Sequence, residues 1–229
     1  MLRTLTGHAS FVNDVAISCD GHIGVSASCD HTLIVWDIQS GSSFCTLEGH
    51  TNWVESVTLS QDGKIAISAS DDHTLKVWNT ISGACIGTLD EHIESVLGVA
   101  ISGDGRKAIS ASDDQTIILW DVESQEALHI LKGHTDSVLS VGMSADGRLA
   151  VSASADKTLR VWDLETCSCL FIFDDHSKSV NKVVVSNNGQ IAVSASSDHT
   201  LKVWDVIMGA LIHSLVGHTD EVVGVSMNN

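Results

Sequence analysis

The stretch HTNWVESVTLSQDGKIAISASDDHTLKVWNTISGACIGTLDE, residues 50–91, decides the fold because close copies of it precede and follow it without insertion or deletion. Self-similarity at a fixed period indicates a repeat architecture. The period is 42 residues, as the recurring tryptophans show: Trp36, Trp78, Trp120, Trp162 and Trp204. We expect one domain over 1–229, with repeats at about 8–49, 50–91, 92–133, 134–175 and 176–217 and partial strands over 1–7 and 218–229.

Each repeat is predicted to form four short strands. Strict alternation is interrupted by a three-residue step between Val54 and Val57, which predicts a β-bulge in the first strand. The Asp62-Gly63 pair between alternating flanks predicts a hairpin turn. Further strands are expected over 65–70, 74–78 and 85–89, and no helical spacing is present.

A single four-stranded sheet of this composition has two apolar faces and cannot bury both by itself. Stacking successive sheets face to face around an axis solves this problem, and repeats of about 40 residues are typical of propellers. The sequence therefore predicts an all-β fold, a β-propeller of four-stranded blades with five complete repeats and partial terminal strands.

The repeated motifs resemble those of the WD-repeat β-propellers. They are Gly49-His50, Asp62-Gly63 and Ser68-Ala69-Ser70, followed by a Trp-Asp pair at Trp36-Asp37, Trp120-Asp121, Trp162-Asp163 and Trp204-Asp205. Trp78-Asn79 is a mild departure, and so is the absence of proline. The resemblance covers essentially the whole chain and extends to regular bacterial-type arrays. It implies a non-catalytic scaffold that binds proteins.

Every repeat also contains a His, a Ser and an Asp, the residues of a hydrolase triad. The resemblance implies instead that they form a structural hydrogen-bonded tetrad with the tryptophan, since buried polar groups must satisfy one another. An enzyme would need one polar pocket that breaks the repeat symmetry. The five expected tetrads are His8-Ser26-Asp30-Trp36, His50-Ser68-Asp72-Trp78, His92-Ser110-Asp114-Trp120, His134-Ser152-Asp156-Trp162 and His176-Ser194-Asp198-Trp204.

The composition narrows the class of partner. A formal charge of −17, with basic residues scattered singly, disfavours nucleic acid. No apolar run is long enough to cross a membrane, and from the polar residues after Met1 we expect no signal peptide. Six cysteines in a domain of this size favour a reduced, cytoplasmic protein. Cys167-x-Cys169 has no second pair at ligand spacing, so we expect no metal and no cofactor.

Positions that differ between repeats are the candidates for recognition. In the family that this chain resembles, partners commonly bind one face of the propeller. Three positions per repeat point to that face: the third and fifth residues after the repeated histidine, and the residue before the tetrad aspartate. From these positions we expect partner contacts at Phe11, Asn13, Trp53, Glu55, Asp71, Leu97, Asp113, Leu139 and Asn181. The two aromatic residues and the acidic residues beside them predict a peptide that carries a basic and an apolar residue. The alternative is that the aromatics only pack against loops.

The number of repeats leaves the closure of the ring open. Residues 2–5 match a fourth strand and 221–227 match a first strand, so a blade made from both ends would lack its two middle strands. The chain could be part of a longer propeller, or could combine with other chains as a homo-oligomer through the incomplete blade. It could also close irregularly with five blades. A purely architectural, self-assembling role is the runner-up function.

Overall fold

A computed structural model describes residues 4–227, and within that range it contains twenty β-strands and no helix. The strands form five four-stranded antiparallel sheets, each in chain order. Sheet by sheet, the strands are β1 (Val12–Ile17), β2 (Ile23–Ser28), β3 (Leu33–Asp37), β4 (Ser42–Leu47); β5 (Val54–Leu59), β6 (Ile65–Ser70), β7 (Leu75–Asn79), β8 (Cys85–Leu89); β9 (Val96–Ile101), β10 (Lys107–Ser112), β11 (Thr116–Asp121), β12 (Glu126–Lys132); β13 (Val138–Met143), β14 (Leu149–Ser154), β15 (Leu159–Asp163), β16 (Ser168–Phe173); and β17 (Val180–Val185), β18 (Ile191–Ser196), β19 (Thr200–Asp205), β20 (Ala210–Val216). The predicted all-β fold of four-stranded repeats is confirmed.

The bulge predicted in the first strand of each repeat is confirmed. In the second sheet, the register between β5 and β6 shifts between Val54 and Ser56, and the other four sheets shift at the equivalent place. The extra residue lets Val54 and Val57 both point into the same apolar layer, where they are 0% and 5% exposed. A second irregularity, beside the repeated tryptophan in the pairing of the third and fourth strands, is not foreseen by the pattern.

The core consists of layers between consecutive sheets. In the first layer, one face of sheet 1 presents Val25, Leu33 and Leu47 to Val57 and Trp78 of sheet 2. The next three layers repeat this arrangement with equivalent residues. The first strand of each sheet also packs against the first strand of the next: β1 on β5, β5 on β9, β9 on β13 and β13 on β17. The first strands therefore line a common central channel.

The sheets do not close into a five-bladed ring. Val12 and Val15 of sheet 1 are 49% and 63% exposed, and Leu215 of sheet 5 is 48% exposed, whereas the equivalent residues between sheets are buried. The irregular five-bladed closure is therefore not formed. One ion pair does cross the opening, since Nζ of Lys182 in β17 lies 3.7 Å from Oδ2 of Asp14 in β1.

The partial strands expected at the two ends are not formed in the described residues. Residues 4–11 and 217–227 contain no strand, and residues 1–3 and 228–229 lie outside the described range. A strand needs a ladder of partners, and these segments have no middle strands of their own to pair with. The segment after β20 is still held to sheet 5, because the backbone N–H of Val222 donates to the carbonyl of Ser196 at 3.1 Å. No helix of the described chain is long and apolar enough to cross a membrane.

Candidate partner-binding face

The tetrad residues are hydrogen-bonded to one another in the second sheet. Nδ1 of His50 donates to Oδ2 of Asp72 at 2.7 Å, because a carboxylate can only accept. That leaves Nε2 as the acceptor for the hydroxyl of Ser68, also at 2.7 Å. The indole N–H of Trp78 donates to the same Ser68 oxygen at 2.8 Å. Every polar side-chain group of the set thus has a partner.

The other four expected tetrads have the same geometry. The His–Asp distance is 2.9 Å for His8 and 2.7 Å for the others. The His–Ser distances are 2.7 to 2.8 Å. The Trp–Ser distances are 2.8 to 2.9 Å. Each aspartate also accepts a hydrogen bond from the backbone N–H of the residue after the histidine, at 2.8 to 3.3 Å. This bond holds the start of the repeat against the turn between its second and third strands.

These contacts set the protonation of the tetrad. Burial alone would raise the pKa of Asp114, but hydrogen bonds from His92 and Thr116 outweigh it and hold the pKa well below its usual range. In Asp156 the same balance, with hydrogen bonds from Thr158 and His134, lowers the pKa to about 2. Burial lowers the pKa of His134 although Asp156 opposes it. In the pair of Asp156 and His134, an ionised carboxylate beside a neutral imidazole is therefore the folded-state form.

The tetrads offer no exposed nucleophile. The serines are buried, from 6% exposed in Ser26 to 0% in Ser68, Ser110, Ser152 and Ser194. Their hydroxyls already donate to the histidine and accept from the indole. Acyl transfer needs an accessible nucleophile with oxyanion donors around it. Within residues 4–227, no group of three or more His, Cys, Asp or Glu is arranged to hold a metal ion either.

The candidate positions, which differ between repeats, lie at the ends of the sheets. At one end, the third residue after the tetrad histidine accepts a backbone hydrogen bond from the residue before the tetrad aspartate. The donor–acceptor pairs are Cys29–Phe11, Asp71–Trp53, Asp113–Ser95, Ala155–Ser137 and Ser197–Ser179, at 2.9 to 3.0 Å. The positions singled out by the sequence are thus brought together at the same end of all five sheets, which we call the upper face.

Phe11 and Trp53 protrude from the upper face in neighbouring sheets. Phe11 is 83% exposed and Trp53 is 50% exposed. Their backbones are held by the hydrogen bonds just described, and the N–H of Trp53 also bonds to the side chain of Asn52 at 2.9 Å. Two aromatic side chains are therefore presented on a fixed backbone, without being covered by loops of the described chain.

Asn13 bonds to the next sheet, and Asn181 bonds to the segment that follows β20. Nδ2 of Asn13 donates to the carbonyl of Val54 at 3.1 Å, and Nδ2 of Asn181 donates to the carbonyl of Val222 at 3.0 Å. Leu97 and Leu139 occupy the same position in sheets 3 and 4 and are half-buried. These four expected contact residues lie on the upper face, but the two asparagines already have structural partners.

Three carboxylates lie close together beside Trp53. Burial, and then the charge of Asp71, raise the pKa of Glu55. Burial and the charge of Asp113 raise the pKa of Asp71, against a hydrogen bond from Ser95. No lysine or arginine of the described chain forms an ion pair with Glu55, Asp71 or Asp113. The upper face consequently has a concentrated negative potential next to its aromatic residues.

The sequence analysis missed the lower mouth of the channel. Turn residues from all five sheets surround it, in the position that holds proline in many WD repeats: Cys19, Gln61, Gly103, Ala145 and Asn187. Backbone bonds link neighbouring sheets there, from Gly103 to Ala145 at 2.8 Å and from Ala145 to Asn187 at 2.9 Å. The signal was present, because these positions vary strongly between repeats that are otherwise alike.

Comparison with known proteins agrees with this architecture. The sequence profile of the WD domain, G-beta repeat family matches residues 1–37, 41–79, 83–121, 125–163 and 167–205. The chain is 54% identical over 41 residues to the cross-pathway control WD-repeat protein 2 of Flammulina velutipes, covering 18% of this chain and 13% of that protein. It is 54% identical over 39 residues to the small ribosomal subunit protein RACK1 of Trypanosoma brucei brucei, 17% and 12% of the two chains. RACK1 of Caenorhabditis elegans is 52% identical over 42 residues, 18% and 13%.

Each of these alignments spans about one repeat, and hence about an eighth of the relative's length. The family profile, in contrast, matches all five sheets and most of the chain. Each matched segment ends at the Trp-Asp or Trp-Asn pair, which is also where the third strand of each sheet ends. The chain belongs to the WD domain, G-beta repeat family.

Proposed function

We propose that residues 1–229 form one WD-repeat domain that works as a non-catalytic scaffold and binds a protein or peptide on the upper face. The observation that carries this proposal is the exposure of Phe11 and Trp53 beside three carboxylates that form no ion pair with a lysine or arginine of residues 4–227. Aromatic side chains that present a large apolar area on a rigid backbone are typical interface anchors. The tetrads serve the fold in this proposal.

The partner segment carries a lysine or arginine next to an apolar residue. The basic residue approaches Glu55, Asp71 and Asp113, whose mutual repulsion it relieves, and the apolar residue covers Trp53. The net charge of −17 steers such a cationic segment toward the domain and repels nucleic acid. The relatives named as WD-repeat and RACK1 proteins support a scaffold in general but not this particular partner. The six free cysteines fit a cytoplasmic location.

A library of random linear peptides displayed on phage tests the proposal. We expect peptides selected on the wild-type domain to share a Lys or Arg beside a Leu, Ile or Phe. Synthetic copies should lose at least about tenfold in affinity for the Trp53→Ala/Asp71→Ala variant, a loss of about 1.4 kcal/mol or more. The matched control is Ile81→Ala/Glu123→Ala, which removes an exposed aliphatic and an exposed acidic residue from turns at the opposite end of the sheets.

Two results would contradict the proposal. If the selected peptides have no basic residue, the three carboxylates do not select the partner. Equal binding to the wild type and to the Trp53→Ala/Asp71→Ala variant would remove the upper face from consideration. The variant must keep the wild-type melting temperature, so that lost binding reports on the face and not on folding.

A further inference from the structure

An open cleft of 620 Å³ lies between the fourth strands of sheets 2 and 3, on the side away from the channel. Leu89 of β8 and residues 126–130 of β12 form its walls. Gln125, in the turn before β12, bounds its lower end, because Nε2 of Gln125 donates to the carbonyl of Ile86 at 2.7 Å across the gap. The volume falls within the range of about 300 to 1000 Å³ that is typical of ligand sites. We call this space the outer cleft.

The floor of the outer cleft is apolar. The indole of Trp120 forms its base and is 1% exposed, whereas Leu128 and Ile130 beside it are 42% and 50% exposed. β8 and β12 are the outermost strands of their sheets, so no further strand of the described chain covers these two side chains. A partner side chain placed here therefore removes apolar area from water, which is the main favourable term in most protein association.

The rim of the outer cleft is acidic. Asp90 and Glu91 line it from the loop after β8, and Glu126 lines it from the start of β12. All three residues are exposed. No lysine or arginine in residues 4–227 forms an ion pair with any of them. An occupant that carries a lysine or arginine is consequently attracted to the cleft, and an anionic one is repelled.

The fold does not require these carboxylates. The position of Glu91 holds Gly49 and Gly133 in the neighbouring repeats, and the position of Glu126 holds Ser168 in the next repeat. Those repeats form the same four-stranded sheets with neutral residues there. The acidic rim is thus a property of this cleft that sheet formation leaves unexplained.

We propose that the outer cleft is a second binding site, separate from the upper face, for a short segment of a partner protein that carries a lysine or arginine next to an aliphatic residue. The cationic group lies at the acidic rim, near Glu91 and Glu126, where it reduces the local negative potential. The aliphatic side chain packs on Leu128 and Ile130. The same carboxylates exclude nucleic acid from the cleft.

Selection of phage-displayed linear peptides on a domain that lacks the upper-face site tests this proposal. The target is the Trp53→Ala/Asp71→Ala variant, so the result does not depend on the proposed function. We expect the selected peptides to contain a Lys or Arg beside a Leu, Ile or Val. Synthetic copies should lose at least about tenfold in affinity when Glu91→Gly/Glu126→Ser is added to the target. Each of these two changes introduces the residue that a neighbouring repeat carries at that position, so the fold is retained.

Two further variants of the same target make the result specific. Ile130→Thr introduces the residue found at that position in sheets 1 and 2, and it should weaken binding at least about threefold because it removes apolar contact area. Asp174→Ala/Asp175→Gly removes two exposed carboxylates from the equivalent loop between sheets 4 and 5. This control has the same net charge as the Glu91→Gly/Glu126→Ser variant and should bind the peptides as the target does.

Three results would each overturn the proposal. The first is a selection that returns no basic peptide, and the second is unchanged binding after Glu91→Gly/Glu126→Ser or after Ile130→Thr. The third is an equal loss with the control between sheets 4 and 5, because only the net charge would then matter. Peptides selected on the wild-type domain are assigned to one site or the other by the double variant that they no longer bind, so each site can fail without the other.

Discussion

At the scale of single residues, the tetrad aspartate connects several parts of a repeat. Asp114 binds His92 at 2.7 Å, the hydroxyl and N–H of Thr116, and the N–H of Ile93 at 3.3 Å. It thereby holds the residues before the first strand onto the turn between the second and third strands. The resemblance to the WD-repeat family implied this role for the aspartate, and the need of buried polar groups for partners supports it.

We expect Asp114→Ala to destabilise the domain because it leaves buried donors of His92 and the backbone without acceptors. The cost should be about 2 to 3 kcal/mol, or roughly 4 to 12 °C in the melting temperature of a domain of this size. Differential scanning calorimetry measures it. The neighbouring Asp113→Ala removes the same charge from an exposed position outside the tetrad and is the control. Equal melting curves for the two variants would contradict the structural role.

Acid should unfold the domain in two stages. Burial lowers the pKa of His134, so the unfolded chain takes up that proton first, and stability starts to fall below the ordinary histidine value of about 6.5. Hydrogen bonds from Thr158 and His134, which outweigh burial, lower the pKa of Asp156 to about 2. Its contribution is fully present above the ordinary aspartate value, about 4, and is lost as the pH falls toward 2. Urea midpoints from tryptophan fluorescence, measured from neutral to acidic pH, follow both stages.

The variant Asp156→Asn separates the two stages. It cannot titrate at position 156, so its stability should be lower than wild type at neutral pH and should change less between about pH 4 and pH 2. The fall below about pH 6.5 should persist through His176, because burial lowers its pKa as well. A wild-type stability that does not decrease with acid would contradict the assigned protonation states.

At the scale of strands and turns, the sequence predicted what depends on periodicity. The second and fourth strands of repeat 2 were expected at 65–70 and 85–89, and they are observed as β6 (Ile65–Ser70) and β8 (Cys85–Leu89). The bulge between Val54 and Ser56 followed from one odd step in the apolar pattern. The second irregularity, beside Trp78, carries no such signal, because the fourth strand is largely exposed and its residues are not constrained to alternate.

The upper face could be predicted only in part, because its contacts are not set by the pattern within one repeat. Its location follows from which positions vary between repeats, but its contacts depend on where neighbouring sheets meet. Asn13 and Asn181 look like free polar residues in the sequence, yet both bridge to carbonyls about one repeat further along the chain. A pattern within one repeat does not encode that proximity, which the stacking of sheets creates.

The turns give a prediction that separates backbone strain from packing. Gly21 and Gly209 both adopt left-handed backbone conformations, with φ of 73° and 66°. A Cβ on Gly21 meets no atom, so Gly21→Ala should cost only the strain, about 1 to 2 kcal/mol. A Cβ on Gly209 collides with the ring of Phe171, so Gly209→Ala should cost a further 1 to 3 kcal/mol or so. Thermal melts of both variants compare them, and an equal cost would contradict the contact with Phe171.

At the scale of the whole molecule, stability follows position along the array. Each sheet packs mainly against its neighbours, so the stability of a repeat protein is roughly a sum of sheet terms and interface terms. Sheet 3 has an interface on both faces, whereas sheets 1 and 5 have one each. The same residue type accordingly differs in burial: Leu89 and Leu131, the last core residues of sheets 2 and 3, are 2% and 3% exposed, and Leu215 of sheet 5 is 48% exposed.

Hydrogen exchange should therefore vary along the chain even though the five repeats are nearly alike in sequence. We expect the amides of β10 and β11 to be the slowest, and the equivalent amides of β2–β3 and β18–β19 to exchange faster, because opening an end sheet breaks one interface and opening the middle sheet breaks two. Mass spectrometry after exchange into deuterated buffer measures this gradient. Uniform protection of all five sheets would mean that the ring is closed and that neither end face is free, which would contradict the exposure of Val12 and Val15 on sheet 1 and of Leu215 on sheet 5.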